Sequence, residues 1–178
     1  MLRKLLVASV FAAVCVSSAA AQIKVSFAGQ CAKPDIVNSI PIAGNPRHAY
    51  AISQAKCTFT RPNEADGAKS ASAIGWTSDE LRGDSDRFRG YFEETWSDGG
   101  RILYRYEGMG SFKDGAFQSA DETWSVFRAS GPRRGLRGRG TCKVKATADG
   151  GVSFECEGEL QRSARAPRKP KAAPPAAQ

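Results

Sequence analysis

The sequence predicts an all-β fold: a single closed antiparallel barrel of up-and-down strands, followed by a disordered tail. Three observations predict it. Apolar and polar residues alternate with period two in segment after segment between residues 22 and 160. Clusters of Gly, Pro, Asn and Asp such as "AGNPR", "RPNEADG" and "FKDGAF" separate those segments. Beyond residue 21, no stretch sustains the 3.6-residue apolar period of a helix. Short strands joined by meander-like turns favour a barrel over an open sheet, because closure removes unpaired edges.

The chain opens on an export pattern. Arg3 and Lys4 precede an apolar run from Leu5 to Val16, and small residues end in Ala19-Ala20-Ala21 before Gln22. That run is too short for a membrane anchor, so residues 1–21 are read as a signal peptide cleaved after Ala21. Cys15 suggests lipidation instead, but the residue before it is Val14, not a small one. The mature chain is expected to be periplasmic or secreted, without a transmembrane segment. Residues 22–160 suffice for one domain, which at this size buries roughly two-thirds of its unfolded surface. Residues 161–178 lack aromatic and β-branched side chains and are rich in Pro, Ala and positive charge, the composition of a disordered basic extension.

Charge is unevenly placed. Of 26 Lys and Arg, two precede residue 22 and five follow residue 160, leaving 19 against all 18 acids. The folded part is nearly neutral, so the high isoelectric point is mostly a property of the tail and gives no ground for nucleic-acid binding.

The strands follow in order. "QIKVSFAG" (22–29), "HAYAISQAKCTFT" (48–60), "SAIGWTS" (72–78) and "FQSADETWSVFR" (117–128) alternate between turn clusters. "YFEETWSDGGRILYRYEG" (91–108) reads as a hairpin around Asp98-Gly99-Gly100. A three-residue loop there sets Trp96 opposite Ile102, Phe92 opposite Tyr106, and Glu94 opposite Tyr104 on the inner face. "TCKVKATADGGVSFECEGEL" (141–160) reads as a second hairpin around Ala148-Asp149-Gly150. One register there brings Cys142 to Cys156, Val144 to Phe154 and Lys143 to Glu155, satisfying sulfur, apolar face and charge together. A Cys142–Cys156 disulfide is therefore expected. Cys31 and Cys57 complete an even set of four, which an exported chain turns into disulfides. Metal binding would need closely spaced cysteine pairs, which are absent, and no metal or cofactor is expected.

The order "YEGMGSFKDGAFQSADETW", then "SGPRRGLRGRGTCKVKATADGGVSFECEGEL", resembles the second half of small bacterial proteins that share the allene oxide cyclase-like barrel. In these a "G-x-G-x-x-x-x-G" hairpin leads through a glycine-spaced "GLRGRGT" to a closing hairpin. The resemblance covers roughly residues 86–160 and implies a lipocalin-like barrel of about eight strands around a central cavity. Catalytic residues of the plant cyclases have no matching motif here, so none are carried over.

Glu94 is the sharpest candidate for a site, because a carboxylate among inward aromatic residues must be paired, protonated or wet. Tyr104 could donate to it. Trp76, Trp96, Trp124, Phe88, Phe92, Tyr106 and Phe154 join them in an aromatic interior, and Gly90, Gly108 and Gly158 share the inner parity and leave space. The candidate ligand-binding set is Glu94, Tyr104, Trp96, Phe92, Tyr106 and Trp124. Arg133, Arg134, Arg137 and Arg139 lie in a run without an acid, suited to an anionic envelope component or ligand headgroup. His48, the only histidine, has no Ser/His/Asp arrangement around it. The function expected first is binding of a small, largely apolar ligand. A cyclase or isomerase using Glu94 and Tyr104 is the second expectation, and envelope contact through the basic tail is the third.

Overall fold

The structure is a computed structural model, and it describes residues 22–162. The expected signal peptide, Cys15 and the expected tail beyond Arg162 lie outside the described residues. Ten strands follow one another: β1 (Gln22–Cys31), β2 (Ile36–Ile42), β3 (Asn45–Arg61), β4 (Glu64–Ala65), β5 (Ala68–Arg82), β6 (Ser85–Trp96), β7 (Arg101–Lys113), β8 (Ala116–Ser130), β9 (Leu136–Ala146) and β10 (Val152–Arg162). A single 3-10 turn, Gly131–Arg133, links β8 to β9.

Eight of these strands close the cylinder. From β5 to β10 each pairs antiparallel with the next; β10 then pairs with β1, β1 with β3, and β3 with β5. All-antiparallel neighbours joined in sequence make the expected up-and-down barrel. β2 and β4 stand outside this ring and outside the sequence expectation. β2 pairs with the first half of β3 (residues 45–54), and β1 takes over the same edge of β3 from residue 57 onward. Asn38, Ser39 and Pro41 interrupt the apolar alternation of β2, which is why its sequence does not announce a strand.

Both disulfides join residues directly opposite each other on neighbouring strands: Cys31–Cys57 across β1 and β3, and Cys142–Cys156 across β9 and β10. The 141–160 hairpin has the expected register throughout, with Val144 opposite Phe154 and Lys143 opposite Glu155. The β6–β7 hairpin does not. Glu94 faces Ile102, and Phe92 faces Tyr104, two positions away from the expected register. The turn is Ser97-Asp98-Gly99: the Trp96 N–H donates to the Gly100 carbonyl (2.9 Å), and Asp98 Oδ1 accepts the Gly100 N–H (2.9 Å). Gly99 takes the left-handed conformation that this tight turn requires (φ 77°). An offset of two preserves parity, so Phe92, Glu94 and Trp96 still point inward.

Trp76 is a correction to the expected interior. Gly75, Thr77, Asp79 and Leu81 occupy the inward positions of β5, which puts Trp76 on the outer face, where its indole N–H donates to Gln54 (2.8 Å).

The two ends of the barrel differ. Turns 43–44, 83–84 and 114–115 and the loop 147–151 surround one end, and the connections 62–67, 97–100 and 131–135 gather at the other. Ile102, Leu136 and Leu160, all essentially without exposure, fill the second end together with Trp96. The first end is open.

Candidate functional site

A cavity of about 660 Å³ occupies the open half of the barrel. Small inward residues make it: Ala51, Ser53 and Ala55 on β3, Gly75 and Thr77 on β5, and Ala116 and Ala120 on β8. Its floor is a cluster of rings at mid-barrel. Tyr104 meets Trp124 edge to face at 5.4 Å, Phe92 meets Phe154 at 5.8 Å, and Phe27 lies 6.0 Å from Trp124. Of the expected ligand-binding residues, Phe92, Tyr104, Tyr106 and Trp124 line the cavity; Glu94 and Trp96 do not. The space expected beside Gly90, Gly108 and Gly158 is filled by rings. A Cβ on Gly90 would stand 2.5 Å from the Tyr106 hydroxyl, and one on Gly158 would stand 2.5 Å from the Trp124 ring. These glycines let the floor lie flat against the wall, and the open volume comes from the small residues above it.

Glu94 lies beneath that floor with 0% exposure. Its Oε2 accepts from the Tyr104 hydroxyl (2.6 Å) and from the Trp96 indole N–H (3.0 Å). Burial pushes its carboxyl up, while hydrogen bonds from Ser70, Tyr104 and Trp96 and the charge of Arg133 pull it back. Burial likewise pushes the Tyr104 phenol up, and Glu94 adds to this, so the phenol stays a hydrogen-bond donor. Arg133, 2% exposed, places its guanidinium 4.7 Å from the centre of the Trp96 ring. It also donates to the Ala65 carbonyl (2.9 Å) and binds Asp98, which sits on the β6–β7 turn. Arg162 binds Asp66 at the same end, 3.7 Å from Arg133. Both acids are held below the usual carboxylate range, Asp98 first by the Gly100 N–H and then by Arg133, and Asp66 first by Arg162. The closed end is thus a polar plug in which acids meet donors or cations.

Three acids that the sequence reading missed face the cavity: Asp79 on β5, Asp86 on β6 and Glu122 on β8. Their signal was available. Glu122 shares the parity of Trp124, and Asp86 that of Phe88, by the alternation that singled out Glu94. No Lys, Arg or His stands among the described residues lining the cavity. Asp79 and Asp86 are diagonal neighbours across β5 and β6, since Asp79 pairs with Phe88 and Leu81 with Asp86. Burial, and then the Asp86 charge, pushes the Asp79 carboxyl up to about 7. Burial also raises Asp86, whose Oδ1 has no hydrogen-bond partner among the described residues. Glu122 sits opposite Cys142 beside the Cys142–Cys156 bond, and burial alone lifts it to about 8. Carboxyls in this state can donate a proton, accept a hydrogen bond, or ionise when a cation arrives.

The arginine run divides. Arg133 belongs to the plug, while Arg134, Arg137 and Arg139 are exposed. Arg139 borders an open groove of about 850 Å³ on the outer face of β1 and β7–β10, where acids such as Glu159 (3.9 Å from Arg139) accompany the cations.

No protein-family model matches this chain, and no curated protein matches it. Among solved structures it is similar to the pterocarpan synthase dirigent protein GePTS1. The identity is 12%, over 80% of this chain and 90% of that chain, with a TM-score of 0.48. The barrel described above rests on its own strand pairings.

Proposed function

We propose that the protein binds a small, largely apolar molecule, which enters through the open end of the barrel and rests on the aromatic floor. The observation that carries this reading is the 660 Å³ cavity, walled by small and aromatic side chains with a few polar groups among them. That size and composition are typical of small-molecule sites. The resemblance of residues 86–160 to allene oxide cyclase-like barrels supports the same reading. The leader sequence and the two cross-strand disulfides support an exported protein working in an oxidising compartment. An isomerase built on Glu94 and Tyr104 finds less support, because these groups bond each other below the floor.

Calorimetric titration with 2-naphthylmethanol, a compact neutral probe, tests the proposal. Wild-type protein is expected to bind it, and Ala120→Trp, which places an indole in the cavity, is expected to weaken binding at least tenfold while near-ultraviolet circular dichroism stays native. Equal binding by the two proteins, or none by the wild type, overturns the proposal. Native mass spectrometry of protein isolated from its own host would then identify the natural occupant.

A further inference from the structure

The cavity combines features that seldom occur together: an apolar wall, three carboxyl groups facing inward, and no cationic side chain among its described lining residues. Asp86 is 4% exposed, and its Oδ1 has no partner. A buried, unpartnered carboxylate oxygen is costly to keep in a fold. Glu94 likewise has one oxygen bonded by Tyr104 and Trp96 and one without a partner, but it lies beneath the floor and does not line the cavity. Asp86 lines the cavity, and the protein's hydrogen bonds to it, from the Glu80 backbone and the carboxyl of a second acid, Asp79, leave Oδ1 without a partner.

We propose that the preferred occupant is a compact apolar molecule carrying a protonated nitrogen, with its ammonium group held by Asp79 and Asp86 near the open end and its apolar body lying against Phe88 and Trp124. This rests on the cavity-binding reading above and adds the chemical class of the ligand. An ammonium N–H supplies the donor that Asp86 Oδ1 lacks, and its charge offsets the repulsion between neighbouring acids. Glu122, on the far side of Phe88 across β6 and β7, biases the whole cavity in the same sense, toward cations and against anions. A hard divalent cation fits poorly, because it requires six or more oxygen ligands and the wall between these acids is aromatic and aliphatic. The raised protonation of Asp79 and Glu122 has the same origin, carboxyls buried without a counter-charge.

The test compares three probes of one shape by calorimetry at about pH 8: 2-naphthylmethylamine, 2-naphthylmethanol and 2-naphthoate. The amine is expected to bind about tenfold or more tighter than the alcohol, as one charge-assisted contact warrants, and the carboxylate weakest of all. Asp86→Asn and Asp79→Asn are each expected to bring the amine toward the alcohol's affinity and to leave the alcohol unchanged, which also shows that the variants fold. An amine that binds no tighter than the alcohol to the wild type overturns the inference while leaving the cavity reading intact. So does a preference that survives both substitutions. Failure of all three probes to bind overturns both.

Discussion

The two halves of this barrel set their acids in opposite surroundings. At the closed end Glu94 receives two hydrogen bonds on one oxygen, and Asp98 and Asp66 face Arg133 and Arg162. At the open end Asp79, Asp86 and Glu122 line an apolar cavity without a cation. The strands are the same; what differs is whether the chain supplies a cation beside the acids. Acids satisfied by the chain's own cations hold a fold together, whereas buried acids that line a cavity without one leave it suited to a cationic occupant.

The largest expected effect breaks the satisfied half. Arg133→Ala removes a large, fully buried side chain, uncovers Trp96 and takes the donor from the Ala65 carbonyl, and emptying such a site costs about 3–5 kcal/mol. Urea unfolding should show a loss of that size, and 2-naphthylmethanol affinity, measured where the variant remains folded, should be unchanged because the cavity lies in the other half. Next comes the staple between the halves. The Cys142→Ser/Cys156→Ser double variant releases a loop with a sequence separation of 14 and should lose about 3 kcal/mol in the same assay.

Titration of the unsatisfied half gives a smaller effect with a definite sign. Asp79 is lifted from 3.8 to about 7 and Glu122 from 4.5 to about 8, so the folded state holds these protons more tightly than the unfolded chain does. Their stabilising contribution is complete below the unfolded values and is lost as pH rises through about 7 and about 8. Buried Asp86 and Glu94 act in the same direction, and Tyr106, raised by burial, stays neutral throughout. Thermal melts of the protein without added ligand should therefore fall between weakly acidic and weakly alkaline pH. Glu122→Gln should flatten that fall and stabilise the alkaline form by about 1–2 kcal/mol. The smallest expected effect belongs to Glu94→Gln. Glutamine can still accept from Tyr104, so probe affinity should change less than about twofold, or about 0.4 kcal/mol.

Much of this was legible in residue alternation. Cys142, Val144, Phe154 and Cys156 fixed one hairpin, because three kinds of pairing agreed on a single register. In the β6–β7 hairpin only the placement of a three-residue loop chooses the register, and "SDGG" admits two such loops one residue apart, whose cross-strand pairings differ by two positions. Parity survived that ambiguity, which is why Glu94 was correctly read as inward although its partner residue was not. Depth along the barrel was not legible. Alternation says which face a side chain takes and nothing about height, so Glu94 beneath the floor and Glu122 above it looked equivalent. Trp76 was misplaced because "SAIGWTS" offers apolar residues at both parities, Ile74 and Trp76 at one and Ala73 and Gly75 at the other. Arg133 could not be told from Arg134, Arg137 and Arg139, because its partners Asp98 and Ala65 lie 35 and 68 residues away.

The most direct test of the division between the halves is amide and indole nuclear magnetic resonance of uniformly labelled protein titrated with 2-naphthylmethanol. Shifts concentrated at Ala51, Thr77, Phe88, Ala120 and the 147–151 loop, with the Trp96 indole unmoved, are the predicted result. Shifts centred on Trp96 and Leu160, or confined to the outer faces of β9 and β10, would contradict the account.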